Sequence, residues 1–359
     1  MSNDARPAHA GTAPPHVPLA MAVRGDGVDA IHFGSVAVVD RDGRLLYGAG
    51  DPGFVTMTRS ALKPFQAMPF VAGGGIERFG YTTRETALLC ASHSGEPRHV
   101  EAVAEMLAKA GNTVDDLQCG SHAPGFYEAR GEVPPQPPYT PLAHNCSGKH
   151  SGMLAYCVQC GLPKASYLEF AHPLQQEIRR SVAHFTGVPE AELLAGIDGC
   201  SAPNYAVPIA ALARAFARLA STPVDPVYGR APKTLADAMT GHPEMVSGER
   251  RNDLALMRAG RGDWVTKVGA EGVQAIGIRS RGWGIAVKSV DGSKRGLNPA
   301  TVATLDALGL LDAAQRAELA EWGAPKVRNY RGTVTGEVRP MLVLNKFGKT
   351  VAIAPETAE

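Results

Sequence analysis

The stretch Thr58-Arg59-Ser60-Ala61-Leu62-Lys63-Pro64-Phe65-Gln66 is the most informative segment of this 359-residue chain. It contains Ser60 and Lys63 at the spacing S-x-x-K, which on a helix places the hydroxyl and the amine one turn apart on one face. A serine becomes a strong nucleophile only when a neighbouring base takes its proton. A lysine can be that base when its pKa falls from about 10.4 toward 7–8. The spacing therefore predicts a nucleophile–base pair.

The same S-x-x-K spacing is used by serine β-lactamases and penicillin-binding proteins. These enzymes also carry a K-T-G element on a strand, and Lys267-Val268-Gly269 has a similar form directly before a predicted strand. There the ammonium would flank the nucleophile, and Gly269 would let a substrate lie against the backbone. The alternatives are a capping serine with a solvated lysine on a surface helix, and an exposed lysine on a strand.

The segments on either side of this stretch indicate the fold class. A hairpin is predicted over 31–49 with its turn at Asp42-Gly43, and strands are predicted at 273–278 and 283–288. A helix near 299–321 and a final strand pair near 327–345, with a bend at Thr335-Gly336, follow. Between the two β regions the pattern is mainly helical. The sequence predicts an α+β fold in which N- and C-terminal strands share one antiparallel sheet around an inserted helical lobe.

This order predicts one two-lobed domain over 20–359. The sheet lobe takes about 25–75 and 260–355, and the helical lobe takes about 76–259. Residues 1–19 are rich in Ala, Pro and His and lack an apolar signal-peptide core, so a disordered extension is predicted.

Composition narrows the class of protein. Hydrophobic residues make up 44% of the chain and charged residues 20%, as in a globular protein with a large core. The net charge of +1 and the lack of a long apolar run argue against nucleic-acid and membrane partners. Six cysteines in a chain of this length indicate a reducing compartment, and a cytoplasmic location is expected.

Reactive side chains are densest in His144-Asn145-Cys146-Ser147-Gly148-Lys149-His150. Three interpretations of this segment are possible. It could hold a cysteine nucleophile paired with a histidine, a zinc site with a Cys146 thiolate, or a polar cap before the next helix. Ser147-Gly148 suits a helix N-terminus, which would lower the pKa of the Cys146 thiol.

A second cluster lies in Asp198-Gly199-Cys200-Ser201-Ala202-Pro203-Asn204. Two clusters with one cysteine each are better explained by one shared site than by two separate sites. Two thiolates do not complete a tetrahedral zinc site, so a neutral lysine and a water would have to complete it. Cys157-x-x-Cys160 and Cys90 lie in apolar surroundings and are predicted to pack in the core.

Taken together, these segments resemble the Rhizobium-type (class 3, asparaginase II) L-asparaginases. The resemblance covers roughly residues 30–345. It is carried by RSALKPFQ (59–66), CASHSGEP (90–97), HNCSGKHSGML (144–154), GIDGCSAPNYAVP (196–208), HPE (242–244) and TKVGAEGVQ (266–274). It implies the fold of serine β-lactamases and glutaminases, and hydrolysis of L-asparagine to L-aspartate and ammonia.

The resemblance also implies roles for individual residues. Ser60 with Lys63 and Ser92 with Lys267 would form two catalytic Ser–Lys tandems. Cys146, Lys149 and Cys200 would bind a Zn²⁺ that tunes substrate binding. The residues implied to contact substrate are Arg59, His93, His150, Asp198 and Gly269. A homodimer is expected.

One segment departs from the family pattern. Some family members carry a cysteine after HPE, where this chain has Gly248-Glu249-Arg250-Arg251-Asn252-Asp253. Two alternative functions stay open: a β-lactamase- or glutaminase-like amidohydrolase acting on another amide, and a zinc-binding sensor module without catalysis.

Overall fold

The computed structural model describes residues 15–347. Its strands are β1 Val17–Arg24, β2 Gly27–Asp40, β3 Leu45–Ala49, β4 Val55–Met57, β5 Leu194–Ile197, β6 Pro203–Pro208, β7 Trp264–Gly269, β8 Val273–Ile278, β9 Trp283–Ser289, β10 Lys326–Arg328, β11 Val334–Pro340 and β12 Asn345–Lys346.

Most of the helices lie, in chain order, between the N-terminal strands β1–β4 and the C-terminal strands β7–β12. They are α1 Lys63–Ala72, α2 Gly75–Phe79, α3 Thr83–Leu88, α4 Pro97–Lys109, α5 Gly125–Arg130, α6 Ser147–Cys160, α7 Pro173–Thr186, α8 Ile209–Ser221, α9 Ala231–Gly241, α10 Pro243–Val246, α11 Asn252–Ala259, α12 Lys294–Ala307, α13 Ala313–Glu318 and α14 Ala320–Gly323. Within the described residues, no helix combines the length and the apolar character needed to cross a membrane.

The main sheet confirms the predicted α+β architecture. Its strand order is β10-β11-β1-β2-β9-β8-β7, every neighbouring pair is antiparallel, and β3 pairs with both β2 and β12. The N-terminal strands β1 and β2 therefore lie side by side between two groups of C-terminal strands in one sheet. The predicted hairpin is β2–β3, closed by a hydrogen bond from Gly43 N–H to the Asp40 carbonyl.

Each face of this sheet is covered by a helix. Helix α8 packs on β2, β8 and β9, and α12 packs on β1, β2 and β9. The large apolar cluster joins α8 to the helical region, while a second cluster lies around Trp264, Ile276 and Leu297. The strand β7 is left at one edge of the sheet, beside the 3-10 turn Arg59–Leu62 and the start of α1. This edge is where the sheet meets the helical region.

Several predicted boundaries are wrong. Strand β1 begins at Val17, inside the predicted disordered extension, because it pairs with β2 and β11; residues 1–14 of that extension lie outside the described residues. The predicted helix near 299–321 begins at Lys294 and is divided into α12, α13 and α14, with Gly309 at a positive φ of 67°.

The predicted bend at Thr335-Gly336 is also wrong. Both residues lie inside β11, and the chain reverses at Asn329–Thr333. The small sheet β4-β6-β5 and the helices α9 and α11 were not predicted, because their short or mixed apolar patterns have no clear period. The last part of the predicted sheet lobe, 348–355, lies outside the described residues.

Gly148, in the first turn of α6, allows that helix to approach the end of α3. A Cβ atom at this position would lie 2.4 Å from the Leu88 carbonyl oxygen, which is backbone and cannot turn aside. We expect Gly148→Ala to destabilise the fold by about 1–3 kcal/mol, the usual cost of overpacking a core. Thermal or urea unfolding of the variant measures this change.

The matched control is Gly241→Ala at the end of α9, where a Cβ atom would meet nothing within 4 Å. Alanine there should leave stability unchanged or raise it, since glycine is the poorer helix former. Equal unfolding midpoints for the Gly148 and Gly241 variants would contradict the packing argument.

Candidate active site

The two predicted serines open onto one cleft of about 300 Å³. Ser60 comes from the turn before α1 and Ser92 from the segment between α3 and α4. The other residues that line the cleft are Asn145, Arg250, Arg251, Asn252, Val268, Gly269, Ala270, Lys294, Asn298 and Trp322. The cleft therefore joins the sheet edge to the helical region.

Ser60 follows a residue with an unusual backbone conformation. Arg59 has a φ of 51°, in the left-handed region, which costs a non-glycine residue about 1–3 kcal/mol. The Asn204 side chain holds it there: its Oδ1 accepts from Arg59 N–H at 3.0 Å, and its Nδ2 donates to the Arg59 carbonyl at 2.9 Å. Thr58 Oγ1 donates to the same Oδ1 at 3.2 Å. Asn204 thus fixes the turn that presents Ser60.

Lys63 is buried behind Ser92, a residue that lines the cleft. Its Nζ donates to Ser92 Oγ at 2.9 Å, to the Asn145 carbonyl at 3.3 Å and to the Ala91 carbonyl. In the described part of the chain, no carboxylate forms an ion pair with this amine. Lys63 therefore lies among two backbone carbonyls, a serine hydroxyl and the Cys146 thiol.

Lys267 has a different environment. It is fully buried on β7, and its Nζ donates to the Val268 carbonyl at 2.8 Å and lies 3.4 Å from Asp253 Oδ2. Burial lowers the pKa of Lys267 to about 8, against the charge of Asp253, which raises it. The lysine hydrogen-bonded to Ser92 is thus Lys63, and the predicted Ser92–Lys267 pairing is replaced by a Lys267–Asp253 pair.

Gly269 lets the end of β7 approach the Ser60 turn. A Cβ atom there would lie 2.6 Å from the Thr58 carbonyl oxygen. The residue also lines the cleft, as the prediction that a substrate lies against this backbone requires. A larger residue would push the sheet edge away from the turn.

The two cysteine-containing clusters come together. Cys146 precedes α6, and Lys149 in its first turn lies with Nζ 3.0 Å from Cys200 Sγ, with all three side chains buried. A hydrogen bond with Cys200 lowers the pKa of the Cys146 thiol well below its usual value, against burial, and the charges of Lys63 and Lys149 act in the same direction. Burial opposes charge on Lys149, but the two cysteines raise its pKa.

This donor set can accommodate zinc. Two thiols from different segments and one lysine amine converge, and thiolates are preferred zinc ligands. Among residues 15–347, no group of three or more His, Cys, Asp or Glu side chains is placed to hold a metal, so a third protein ligand would have to be Lys149 after loss of its proton.

Asp198 lies next to the Ser60 turn. Its Oδ1 accepts from Arg59 Nε at 2.9 Å and from Gly199 N–H at 2.8 Å. Burial alone would raise the pKa of Asp198, but the Gly199 hydrogen bond and the Arg59 guanidinium lower it. An ionised carboxylate is therefore held beside the predicted nucleophile.

The two predicted substrate-contacting histidines lie behind the cleft and do not line it. His93 is buried with Nε2 2.8 Å from Ser147 Oγ. His150 is fully buried with Nδ1 2.7 Å from the Tyr167 hydroxyl, and burial lowers its pKa to about 4. Both rings support the first turns of α6, which carry Lys149.

Sequence reasoning missed several residues of the site. Asn204 lies inside a quoted motif, but its role depends on contacts 145 residues away along the chain. Asp253, Asn298 and Trp322 carry no local signal, because only the folded chain brings α11, α12 and α14 to the cleft.

Comparisons with solved structures give low similarity. "Mglu in its native form" matches at 15% identity and a TM-score of 0.41, covering 78% of this chain and 66% of that one. A putative beta-lactamase from Bacteroides dorei DSM 17855 matches at 13% identity and a TM-score of 0.39, covering 76% and 93%. The chain spans about two thirds of the length of Mglu, and the fold class rests on the sheet topology above.

The comparison with curated proteins finds no match. The family model described as L-asparaginase II matches residues 20–340, which include the second half of β1, the whole helical region and nearly all of the rest of the main sheet. Every residue of the cleft and of the cysteine cluster falls within this match. The chain therefore belongs to the L-asparaginase II family.

Proposed function

We propose that this protein hydrolyses L-asparagine to L-aspartate and ammonia through an acyl-enzyme. Its family makes it an amidohydrolase. The observation that carries the proposal is the buried Lys63 amine 2.9 Å from Ser92 Oγ, on a cleft that also includes Ser60. A lysine and two hydroxyls on one cleft are the groups that serine-dependent amide hydrolysis requires.

Ser60 is the proposed nucleophile. Its oxygen attacks the side-chain carboxamide carbon while unprotonated Lys63, one turn further along the chain, takes the hydroxyl proton. Ser92 passes a proton from Lys63 to the departing nitrogen, so that ammonia leaves and an aspartyl ester remains on Ser60. Water then attacks the ester and gives a proton to Lys63, which returns it to the Ser60 oxygen as the C–O bond breaks, so that L-aspartate is released and the serine is restored.

The oxyanion that forms in each step needs hydrogen-bond donors, each worth about 3–4 kcal/mol. Val268 N–H is already used by Asp253 Oδ2 at 2.8 Å. We therefore assign the donor role to the N–H groups of Ser60 and of Ala270, which lies after β7 on the cleft wall. Lys267 adds positive charge beside them.

The charges around the cleft suit an α-amino acid. Asp198, joined to Arg59, provides a carboxylate for the α-ammonium group. Arg251 and Lys294 on the cleft wall provide cations for the α-carboxylate.

We also propose that Cys146, Lys149 and Cys200 bind Zn²⁺. When bound there, zinc would supply fixed positive charge near Asp198 and tune substrate affinity. The homodimer and the cytoplasmic location stay predictions.

Replacing the nucleophile tests the main proposal. We expect Ser60→Ala to lower the rate of ammonia release from L-asparagine by at least about 1,000-fold, as loss of a catalytic nucleophile does in serine hydrolases. Ammonia release from L-asparagine and L-glutamine is measured for the wild type and the variant. Ser221→Ala, which removes a hydroxyl bonded to the Ala217 carbonyl on α8, is the control and should stay active.

A comparison of substrates distinguishes the proposed function from the two alternatives, an amidohydrolase acting on another amide and a zinc-binding sensor module. If the protein releases ammonia from L-glutamine, or opens a β-lactam ring in a parallel absorbance assay, but leaves L-asparagine intact, the proposed substrate is wrong and the proposed serine chemistry stands. A folded, zinc-loaded protein that cleaves none of these amides would support the sensor module. Wild-type turnover by Ser60→Ala would remove Ser60 from the role of nucleophile.

Asn204 should matter through the geometry of the Ser60 turn. We expect Asn204→Ala to lower kcat by about 10–100-fold, because small displacements of a reacting group cost this much. The control is Asn112→Ala, which removes a buried amide that has no hydrogen-bond partner among the described residues. If both variants keep wild-type kcat, the turn does not depend on Asn204.

Metal content tests the zinc proposal without an activity assay. We expect mass spectrometry of the purified wild type to find bound zinc, and Cys146→Ser and Cys200→Ser to lose it, since thiolates contribute most of the affinity. Cys160→Ser changes a cysteine outside the cluster that is exposed, contrary to its predicted place in the core, and should keep the metal. Equal zinc in all four proteins would place the metal elsewhere.

A further inference from the structure

Asp253, the second residue of α11, is a fully buried carboxylate with four partners. Its Oδ1 accepts from Thr266 Oγ1 at 2.9 Å and from Gln274 Nε2 at 3.0 Å. Its Oδ2 accepts from Val268 N–H at 2.8 Å and faces Lys267 Nζ at 3.4 Å. Nearly all acceptor positions of an ionised carboxylate are thus used. Three of the four partners lie on consecutive residues of β7.

Lys267 needs this carboxylate because its other charged neighbours are cations. Burial lowers the pKa of Lys267 most, Asp253 raises it, and the charges of Lys63 and Arg251 lower it further. Cys90 also lies near both lysines, but burial raises the pKa of its thiol to about 12, so it gives no negative charge at neutral pH. Asp253 is therefore the counter-charge of Lys267 among the groups that face it.

Asp253 is also connected to the cleft wall. Gln274, which donates to Asp253, accepts from Asn252 Nδ2 at 2.8 Å, and Asn252 lies 3.4 Å from Asn298 Oδ1. Asn252 and Asn298 both line the cleft. A continuous chain of polar side chains thus runs from the lysine to the cleft surface.

We propose that Asp253 is a positioning residue of the catalytic site, which fixes the Lys267 ammonium beside the reacting groups through their ion pair. This inference rests on the proposed amide hydrolysis. Asp253 does not touch the cleft itself and acts through Lys267. The 3.4 Å separation is longer than the 2.7–2.9 Å of a tight charge-assisted hydrogen bond, and the ammonium also donates at 2.8 Å to the carbonyl of Val268, a residue that lines the cleft.

If Asp253 had only a structural role, it would hold α11 against β7, and its replacement would change the stability of the fold alone. The structural role and the positioning role predict different effects on the pH dependence of kcat. An opposite charge within 4–6 Å raises a lysine pKa by about 1–3 units, so removing it should lower the pKa of Lys267 by a similar amount. A loss of fold stability does not shift a pKa in the protein that remains folded.

The test compares Asp253→Asn and Asp253→Glu with the wild type, using kcat and KM for L-asparagine across pH. We expect Asp253→Asn to move the alkaline limb of the kcat profile about one pH unit or more toward acid. We also expect kcat at pH 8 to fall at least about 10-fold with a smaller change in KM, because the lost interaction acts on the transition state. Asp253→Glu should keep the wild-type limb with a lowered kcat, because the charge remains and its position changes.

Glu85→Gln is the matched control. Glu85 is a buried carboxylate paired with Lys109 at 2.6 Å on α3 and α4, away from the cleft. Its loss should lower the unfolding temperature without moving the pH limb. The titration of Lys267 is also followed directly by NMR of ¹⁵N-labelled lysine without substrate, with Lys267→Arg to assign the signal.

These measurements separate failure of the inference from failure of the proposed function. An inactive wild type would end the proposed function, while the NMR titration would still show whether Asp253 sets the charge of Lys267. An unmoved limb and an unmoved Lys267 titration in folded Asp253→Asn would overturn the inference. If Asp253→Asn does not fold, Asp253→Glu decides, since wild-type kcat in that variant would also overturn it.

Discussion

Three lysine amines buried at one junction are the constraint on which this structure depends. Lys63, Lys149 and Lys267 are each at most 4% exposed, and a buried amine is costly unless polar groups surround it. Each amine contacts a different set of polar groups. Lys63 contacts carbonyls and a serine hydroxyl, Lys149 contacts a cysteine, and Lys267 contacts a carboxylate. These partners come from distant parts of the chain, so the amines hold the sheet edge and the helical region together.

The different partners also give the three lysines different chemical roles. Lys63 donates to a serine hydroxyl on the cleft and suits the role of base, while the carboxylate beside Lys267 favours its charged form and suits it to the role of positive charge. Lys149 lies among sulfur atoms and suits a metal or a thiolate partner. Similar residues at similar depth thus receive separate roles from their surroundings.

Close backbone approach makes this arrangement possible. Gly269 brings β7 against the Ser60 turn, and Gly148 brings α6 against α3. The strained Arg59 backbone is maintained by Asn204, which belongs to β6 in the small second sheet. Strain at a candidate nucleophile that is held by a distant side chain is typical of sites whose geometry the whole fold enforces.

The sequence by itself determined the α+β class and the meeting of the two cysteine clusters, because these depend on local periodicity and dense motifs. The tertiary structure decided which side chains pair. Lys63 contacts Ser92, and Lys267 contacts Asp253, which has no motif around it. It also places His93 and His150, which were predicted to contact the substrate, in buried positions outside the set of residues that line the cleft. The pairing of buried charges depends on distances between segments that are far apart in the chain, and these distances cannot be predicted from the local sequence.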